Sequence, residues 1–381
     1  MQYRRLGKTG CMVSEIGLGA EWLERHTAEE CAAVVQRCYE NGVNVLDCWM
    51  PGPTIRSNLG AAIRGHRGEW FIQGHIGATY QNGQYVRTRS LPEVKAAFED
   101  LLTRLETDYI DFGMIHYVDL ESEWDAIQDS PYMDYVKQLK ADGVIRHIGL
   151  STHNPLVAAK AVESGIIEMM LFSVNPAFDL MPPSENVDSF FTSDFAEGKN
   201  YIAPERERLY RLCEQHDVGI TVMKGLAGGR LFDAARSPFG VALTPVQCIH
   251  YSLTRPGVAS VLVGYDTVEH ADAALAYETA TEAEKDYASV LAGAPYHAFT
   301  TGQCTYCGHC HPCPANIDIA MVNKLYDLAT MQPEVPQSVR AHYQALEVNA
   351  SNCIGCRGCE KRCPFGVPIA DRMKKAAELF K

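Results

Sequence analysis

Eight short apolar runs, most of them followed by a longer amphipathic stretch, set the strongest limit on how this 381-residue chain can fold. The runs are Val13–Gly19, Val43–Asp47, Trp70–Gly74, Ile110–His116, His147–Ser151, Met169–Asn175, Gly219–Met223 and Ser260–Gly264. Between them, residues 29–41, 91–105, 132–142, 156–164 and 205–216 carry apolar side chains at helical spacing. Gly42, Gly143, Gly165 and the Val218-Gly219 pair stand where those helices should stop. Strands that alternate with helices must pair in parallel, because each helix returns the chain to the starting edge. Eight such units close into an α/β fold of the (β/α)8 TIM-barrel type. An open doubly wound sheet would need a glycine-rich phosphate loop after its first strand. Here Gly17-Leu-Gly19 runs into Ala20-Glu21-Trp22 instead. A longer insert, about residues 179–204, follows the sixth run, at the barrel end whose loops carry function.

A barrel of this kind takes about 250 residues or somewhat more. The expected division is therefore a barrel over residues 1–292 and a second unit over 293–381. A hydrophobic content of 46% with 21% charged residues suits a sizeable core and excludes a disordered chain. Lys+Arg 34 against Asp+Glu 47 leaves a net charge of −13, without the basic footprint of a nucleic-acid partner. No apolar run reaches the length of a membrane span. Met1-Gln-Tyr-Arg-Arg5 lacks the apolar stretch of a secretory signal, so a cytoplasmic protein is expected.

Eight of the 14 cysteines lie after residue 300, in two groups. The first is Cys304-x2-Cys307-x2-Cys310-x2-Cys313-Pro; the second is Cys353-x2-Cys356-x2-Cys359-x3-Cys363-Pro. A disulfide framework would not concentrate this way in a reducing compartment. Zinc ribbons bind one ion with two separate C-x2-C pairs, whereas each group here has four closely spaced cysteines. The second group has the spacing that holds a [4Fe–4S] cubane: three thiolates of one loop reach three irons, and the cysteine before proline turns toward the other cluster. The pair resembles the two-cluster bacterial ferredoxins. That resemblance implies a helix-rich ferredoxin-like domain with two [4Fe–4S] clusters. Cys304, Cys307, Cys310 and Cys363 would hold one, and Cys353, Cys356, Cys359 and Cys313 the other. The first group departs from the pattern by one residue before its last cysteine. His309 and His311 fall inside that loop and are expected to be bystanders to the cysteines.

The first 280 residues resemble the aldo-keto reductase family. The resemblance rests on Tyr3-Arg4-x-Leu6-Gly7-x-Thr9-Gly10-x2-Val13-Ser14-x-Ile16-Gly17-Leu18-Gly19, Asn44-Val-Leu-Asp47 and Asp108-Tyr-Ile-Asp111 with His116. It also rests on Gly143-Val-Ile-Arg146-x-Ile148-Gly-Leu-Ser151 and Leu226-Ala-Gly228-Gly229-Arg-Leu231. The family reduces carbonyls with NADPH through an aspartate, a tyrosine, a lysine and a histidine. Asp47 and His116 match the first and last of these. His75 stands where the lysine is expected, and Met50-Pro-Gly-Pro53 contains no tyrosine. Proton donation must then come from His75, His116, or Tyr80 or Tyr85 after the third strand. Lys224 should face the barrel mouth, as an anion holder, an acid or a solvated loop residue. The candidate catalytic residues are Asp47, His75, His116 and Lys224.

The same resemblance implies cofactor contacts at Ser151, Asn175, Gly228, Gly229, Gly264 and Asp266. Met223 replaces the ring that usually stacks on the nicotinamide, and Asp266 and Glu269 would repel a 2′-phosphate. Weak NADPH binding or none is expected, with a flavin left open. Cys31, Cys38 and Cys213 read as buried filling. Cys48 follows Asp47 at the rim, where Trp49 and Tyr117 are expected to line a pocket. The combined expectation is an iron–sulfur oxidoreductase acting on a small organic substrate at the barrel mouth. Its electrons would pass through the clusters, from ferredoxin or flavodoxin, in an anaerobic source. The alternatives are an NAD(P)H-dependent carbonyl reductase with structural or regulatory clusters, and a non-catalytic electron-transfer protein.

Overall fold

Each apolar run becomes a strand covered on both faces, by the barrel interior on one side and by helices on the other. The computed structural model describes residues 1–181, 183–185, 202–292, 294, 302, 304, 306, 308, 310–330, 334–363 and 365–381. Twelve strands occur among them: β1 (Tyr3–Arg5), β2 (Met12–Ser14), β3 (Ile16–Gly19), β4 (Val45–Cys48), β5 (Phe71–Ile76), β6 (Ala78–Gln81), β7 (Gln84–Arg87), β8 (Ile110–Ile115), β9 (Ile145–Thr152), β10 (Met169–Ser173), β11 (Gly219–Met223) and β12 (Val258–Gly264). Eight of these close a barrel in the order β3-β4-β5-β8-β9-β10-β11-β12, with β12 pairing in parallel with β3. All eight expected strands are present.

The helices start and stop on side-chain and backbone signals. Thr27 caps Ala28–Glu40 in a reciprocal capping box with Glu30, and Ser130 caps Pro131–Ala141. Gly143 and Gly165 follow helix ends with positive φ, a conformation that costs glycine little. The β1–β2 hairpin packs across the start of β11, where Leu6 and Gly7 lie against Gly219. Leu6, Val13, Val45, Phe112, Met169 and Leu262 belong to one apolar cluster that fills this end of the barrel. The open end is the one formed by the C-terminal ends of the strands.

The insert after β10 begins at a buried carboxylate. Asp179 is wholly buried and accepts hydrogen bonds from the Tyr210 and Tyr251 hydroxyls, with Arg206 beside it. These partners come from Pro204–Gln215 and Pro245–Leu253, so one side chain joins three parts of the barrel wall. After the barrel, the described elements are helical: Ile319–Thr330, Gln337–Gln344, Gly358–Arg362 and Ile369–Leu379, with one short 3-10 turn. The expected helix follows each cysteine group. Ile319–Thr330 packs against Ile369–Leu379, with Arg372 hydrogen-bonded to Asn323 and Asp327. Lys324 pairs with Glu214 of the barrel at 2.7 Å. Among the described residues no helix is long and apolar enough to cross a membrane.

Asp179→Ala removes the buried acceptor shared by the Tyr210 and Tyr251 hydroxyls and the carboxylate beside Arg206. It should destabilise the chain by about 3–5 kcal/mol. Equilibrium urea unfolding of the full chain measures this, and a loss below about 1 kcal/mol would contradict the role assigned to Asp179.

Candidate functional site

A cavity of about 840 Å³ opens at the C-terminal end of the barrel, where Asp47, His75, His116, Ser151 and Gly264 line it. Side chains alternate along a strand, so Gln73 and His75 of β5 share the inward face. Five polar groups there form one hydrogen-bonded chain. Thr221 Oγ1 donates to Gln73 Oε1 at 2.7 Å, and Gln73 Nε2 donates to Asp47 Oδ1 at 2.9 Å. The same Oδ1 lies 2.9 Å from His75 Nε2, and His75 Nδ1 lies 2.7 Å from His116 Nδ1. Both rings are buried. Burial holds the His116 imidazole well below its ordinary pKa, and nearby His75, Arg89, Arg87 and His153 push it the same way.

The outer end of this chain is a tyrosine. Tyr85 Oη lies 2.7 Å from His116 Nε2, and its ring meets Trp49 edge-on at 5.3 Å. Tyr85 is carried by β7, which pairs antiparallel with β6 in a hairpin turned at Asn82-Gly83. Both turn residues have positive φ, the geometry that Asn-Gly favours in a two-residue hairpin turn. Arg87 and Arg89 fasten the hairpin to the end of β8: they donate to the Tyr117 and His116 carbonyls and pair with Glu123. Burial raises the Tyr85 phenol pKa above its ordinary value, which keeps it protonated.

Beside this chain, His153 Nδ1 lies 2.9 Å from Asp119 Oδ2, and the His153 ring meets Tyr117. Burial lowers the His153 pKa and opposes the Asp119 charge, but hydrogen bonds from His153 and Thr152 outweigh it and hold Asp119 below the carboxylate range. The cavity extends past Met223 and Lys224 to Gly228, Gly229, Asp266 and His270. His26 Nε2 pairs with Asp266 at 2.5 Å, and its pKa is raised, first by that bond.

Ser151, Gly228, Gly229, Gly264, Asp266 and Lys224 line this cavity together with the catalytic candidates. Asn175 does not. Its Oδ1 accepts from the Ala177 and Phe178 N–H groups, and its Nδ2 donates to the Lys224 carbonyl. This buried amide shapes the loop that carries Lys224. Gln73, Thr221, Asp119 and His153 escaped sequence reading. The inward register of Gln73 with His75 was the available signal for the first. Cys31, Cys38 and Cys48 are buried, and burial pushes each thiol up to about 12, which removes them as nucleophiles.

A second, small cavity lies among the C-terminal helices, lined by Cys313, Cys353, Cys356 and Cys359 with Ile317 and Met373. Among the described residues, no group of three or more His, Cys, Asp or Glu could hold a single metal ion. Cys363 Sγ accepts the Val367 N–H at 3.5 Å. Cys307 and His309 lie outside the described residues.

The sequence profile of the aldo/keto reductase family matches residues 15–242. The chain is 30% identical over 304 residues to "Uncharacterized oxidoreductase YqkF" of Bacillus subtilis, covering 71% of this chain and 88% of that protein. It is 23% identical to "L-galactose dehydrogenase" of Arabidopsis thaliana, covering 74% and 89%. The holo form of aldo-keto reductase AKR11C1 from Bacillus halodurans shares the fold, with a TM-score of 0.60 at 21% identity over 75% of this chain and 94% of that one. The barrel, the site at its open end and the extent of the match make this chain a member of the aldo/keto reductase family, an oxidoreductase by descent.

Proposed function

We propose that the chain is a nicotinamide-dependent oxidoreductase that interconverts a carbonyl and a hydroxyl on a small organic molecule at the barrel mouth. The observation that carries this reading is the buried Asp47–His75–His116 chain, which ends in a cavity long enough to reach Gly264 and Asp266. A dehydrogenase among the relatives supports the same reaction class. A nicotinamide, when bound, would supply hydride chemistry at the substrate carbon. The chain's own residues do the rest. Ser151, Gly228, Gly229 and Gly264 would hold the nucleotide, Gly228 and Gly229 offering no side chain against it. Asp47 fixes the His75 ring, His75 orients His116, and His116 faces the reacting oxygen's side of the cavity. Lys224 offers a positive charge to an anionic substrate group. An open mouth with Asp47, His75, His116 and Lys224 among its lining residues suits catalysis better than a scaffold that only carries electrons.

The residues at the far end fit a nucleotide without a 2′-phosphate. Asp266 and Glu269 would face that phosphate with like charge, and His26 compensates only Asp266. Calorimetry should show NADH binding at least as tightly as NADPH. An NADPH preference of tenfold or more, about 1.4 kcal/mol, would contradict the assignment. His75→Ala and His116→Ala should each lower turnover by about 10²–10⁴-fold, the usual scale for a lost proton-transfer group. Wild-type turnover in both variants would move the chemistry elsewhere.

A second reading is favoured by the four cysteines around one cavity. In it, residues 293–381 form a helix-rich ferredoxin-like domain with two [4Fe–4S] clusters. Cys313, Cys353, Cys356 and Cys359 would hold one, which is the donor set the sequence spacing implies. Cys304, Cys307, Cys310 and Cys363 would hold the other. Such clusters pass single electrons, and a ferredoxin or flavodoxin would be the partner. The barrel residues would handle protons as before. Anaerobic purification should yield about eight irons per chain with matching sulfide. Zinc without iron would contradict the reading.

A further inference from the structure

We propose that Cys11, His147 and Glu168 form a reactive thiol site at the closed end of the barrel, which takes up a small thiol as a mixed disulfide by exchange with a low-molecular-weight disulfide. The site lies at the opposite end from the mouth and does not depend on the carbonyl–hydroxyl reading. Three elements bring the groups together. Cys11 sits in the turn between β1 and β2, packed against the apolar cluster of that end, and its N–H donates to Thr9 Oγ1 at 3.2 Å. His147 is the third residue of β9, and Glu168 immediately precedes β10. The Cys11 Sγ lies 3.8 Å from His147 Nε2, and His147 Nδ1 lies 2.9 Å from Glu168 Oε1. Lys140 Nζ and the Ile148 N–H donate to the other Glu168 oxygen. The order is a nucleophile, a ring within its reach and a carboxylate that orients the ring.

The electrostatics support this geometry. Burial works against the Glu168 charge, but hydrogen bonds from His147, Lys140 and the Ile148 N–H outweigh it and hold its pKa at about 2. Contacts with Cys11 and then Glu168 raise the His147 pKa to about 9 against the effect of burial. At pH 7 the ring is therefore cationic, and its Nε2–H donates to the sulfur. A cation held against a sulfur favours the thiolate, the form that attacks. Of the six cysteines before residue 300, Cys11 is the one that is half-buried; the other five are fully buried. Burial pushes the thiols of Cys31, Cys38 and Cys48 up to about 12 and raises Cys213 and Cys248 as well.

The exchange step balances without a further reactant. A lone pair of the Cys11 thiolate attacks one sulfur of the small disulfide, and a new S–S bond forms. The S–S bond of the reagent breaks, and its electron pair leaves on the second sulfur, which takes a proton from solvent as a free thiol. Cys11 is oxidised to the disulfide level and the departing sulfur is reduced. His147 keeps its proton and stays hydrogen-bonded to Glu168 throughout. A reducing thiol reverses the reaction by the same route.

The test compares folded and unfolded protein. The reduced full-length chain is treated with oxidised glutathione at pH 7, once folded and once in urea. The adduct is followed by mass spectrometry on the tryptic peptide of residues 9–25, whose one cysteine is Cys11. A half-buried thiol without activation reacts more slowly in the folded chain, because the fold restricts access. Here the folded chain should form the Cys11 adduct faster than the unfolded one, by about tenfold or more. His147→Gln should bring the folded rate down to the unfolded rate or below it, and circular dichroism reports whether that variant has folded. Equal or slower reaction of Cys11 in folded wild-type protein overturns the proposal whatever the variant does. A folded His147→Gln protein that keeps the wild-type rate overturns it as well.

Discussion

One carboxylate oxygen organises the open end of this barrel. Asp47 Oδ1 accepts from Gln73 on one side and His75 on the other, both buried, and the His75 ring so held reaches His116. A buried carboxylate needs such donors. Supplying them fixes the Gln73 amide and the orientation of the His75 ring. The family's usual lysine–tyrosine arrangement places a cation beside the phenol. Here two buried imidazoles occupy that place, and a phenol arrives from a different element.

The barrel was legible in the sequence because its strands are buried on both faces and read as unbroken apolar runs. Residues 78–87 carried the opposite signal. Thr79, Gln81, Gln84 and Arg87 are polar, the segment is half exposed, and it reads as a loop after the third strand. The Asn82-Gly83 pair was the one clue that two short strands pair there, and that pairing is what sets Tyr85 over His116. Asn175 shows the reverse case. Its position after β10 matches a cofactor contact by resemblance, but three backbone groups claim its amide, a demand that appears only once the Lys224 loop is folded. Asp179 was legible only as the start of an insert, because its phenol partners lie 31 and 72 residues away along the chain.

The cysteine groups and the barrel site make different demands on the chain. The cysteines lie among short helices whose packing runs through Val322, Leu325 and Met373, and four of them surround one cavity. The proton chain lies in the barrel, among residues that need no cluster to be held in place. A nicotinamide reaction and a cluster-borne one would draw on the same Asp47–His75–His116 geometry. What separates them is the source of the electrons.

The most direct test of the central claim is a crystal structure of the chain with NAD⁺ and an alcohol that it binds. The account expects the alcohol oxygen on the His116 side of the cavity, with the nicotinamide at the mouth beside Met223. An alcohol oxygen held by Lys224 or His153, away from His116, would contradict it.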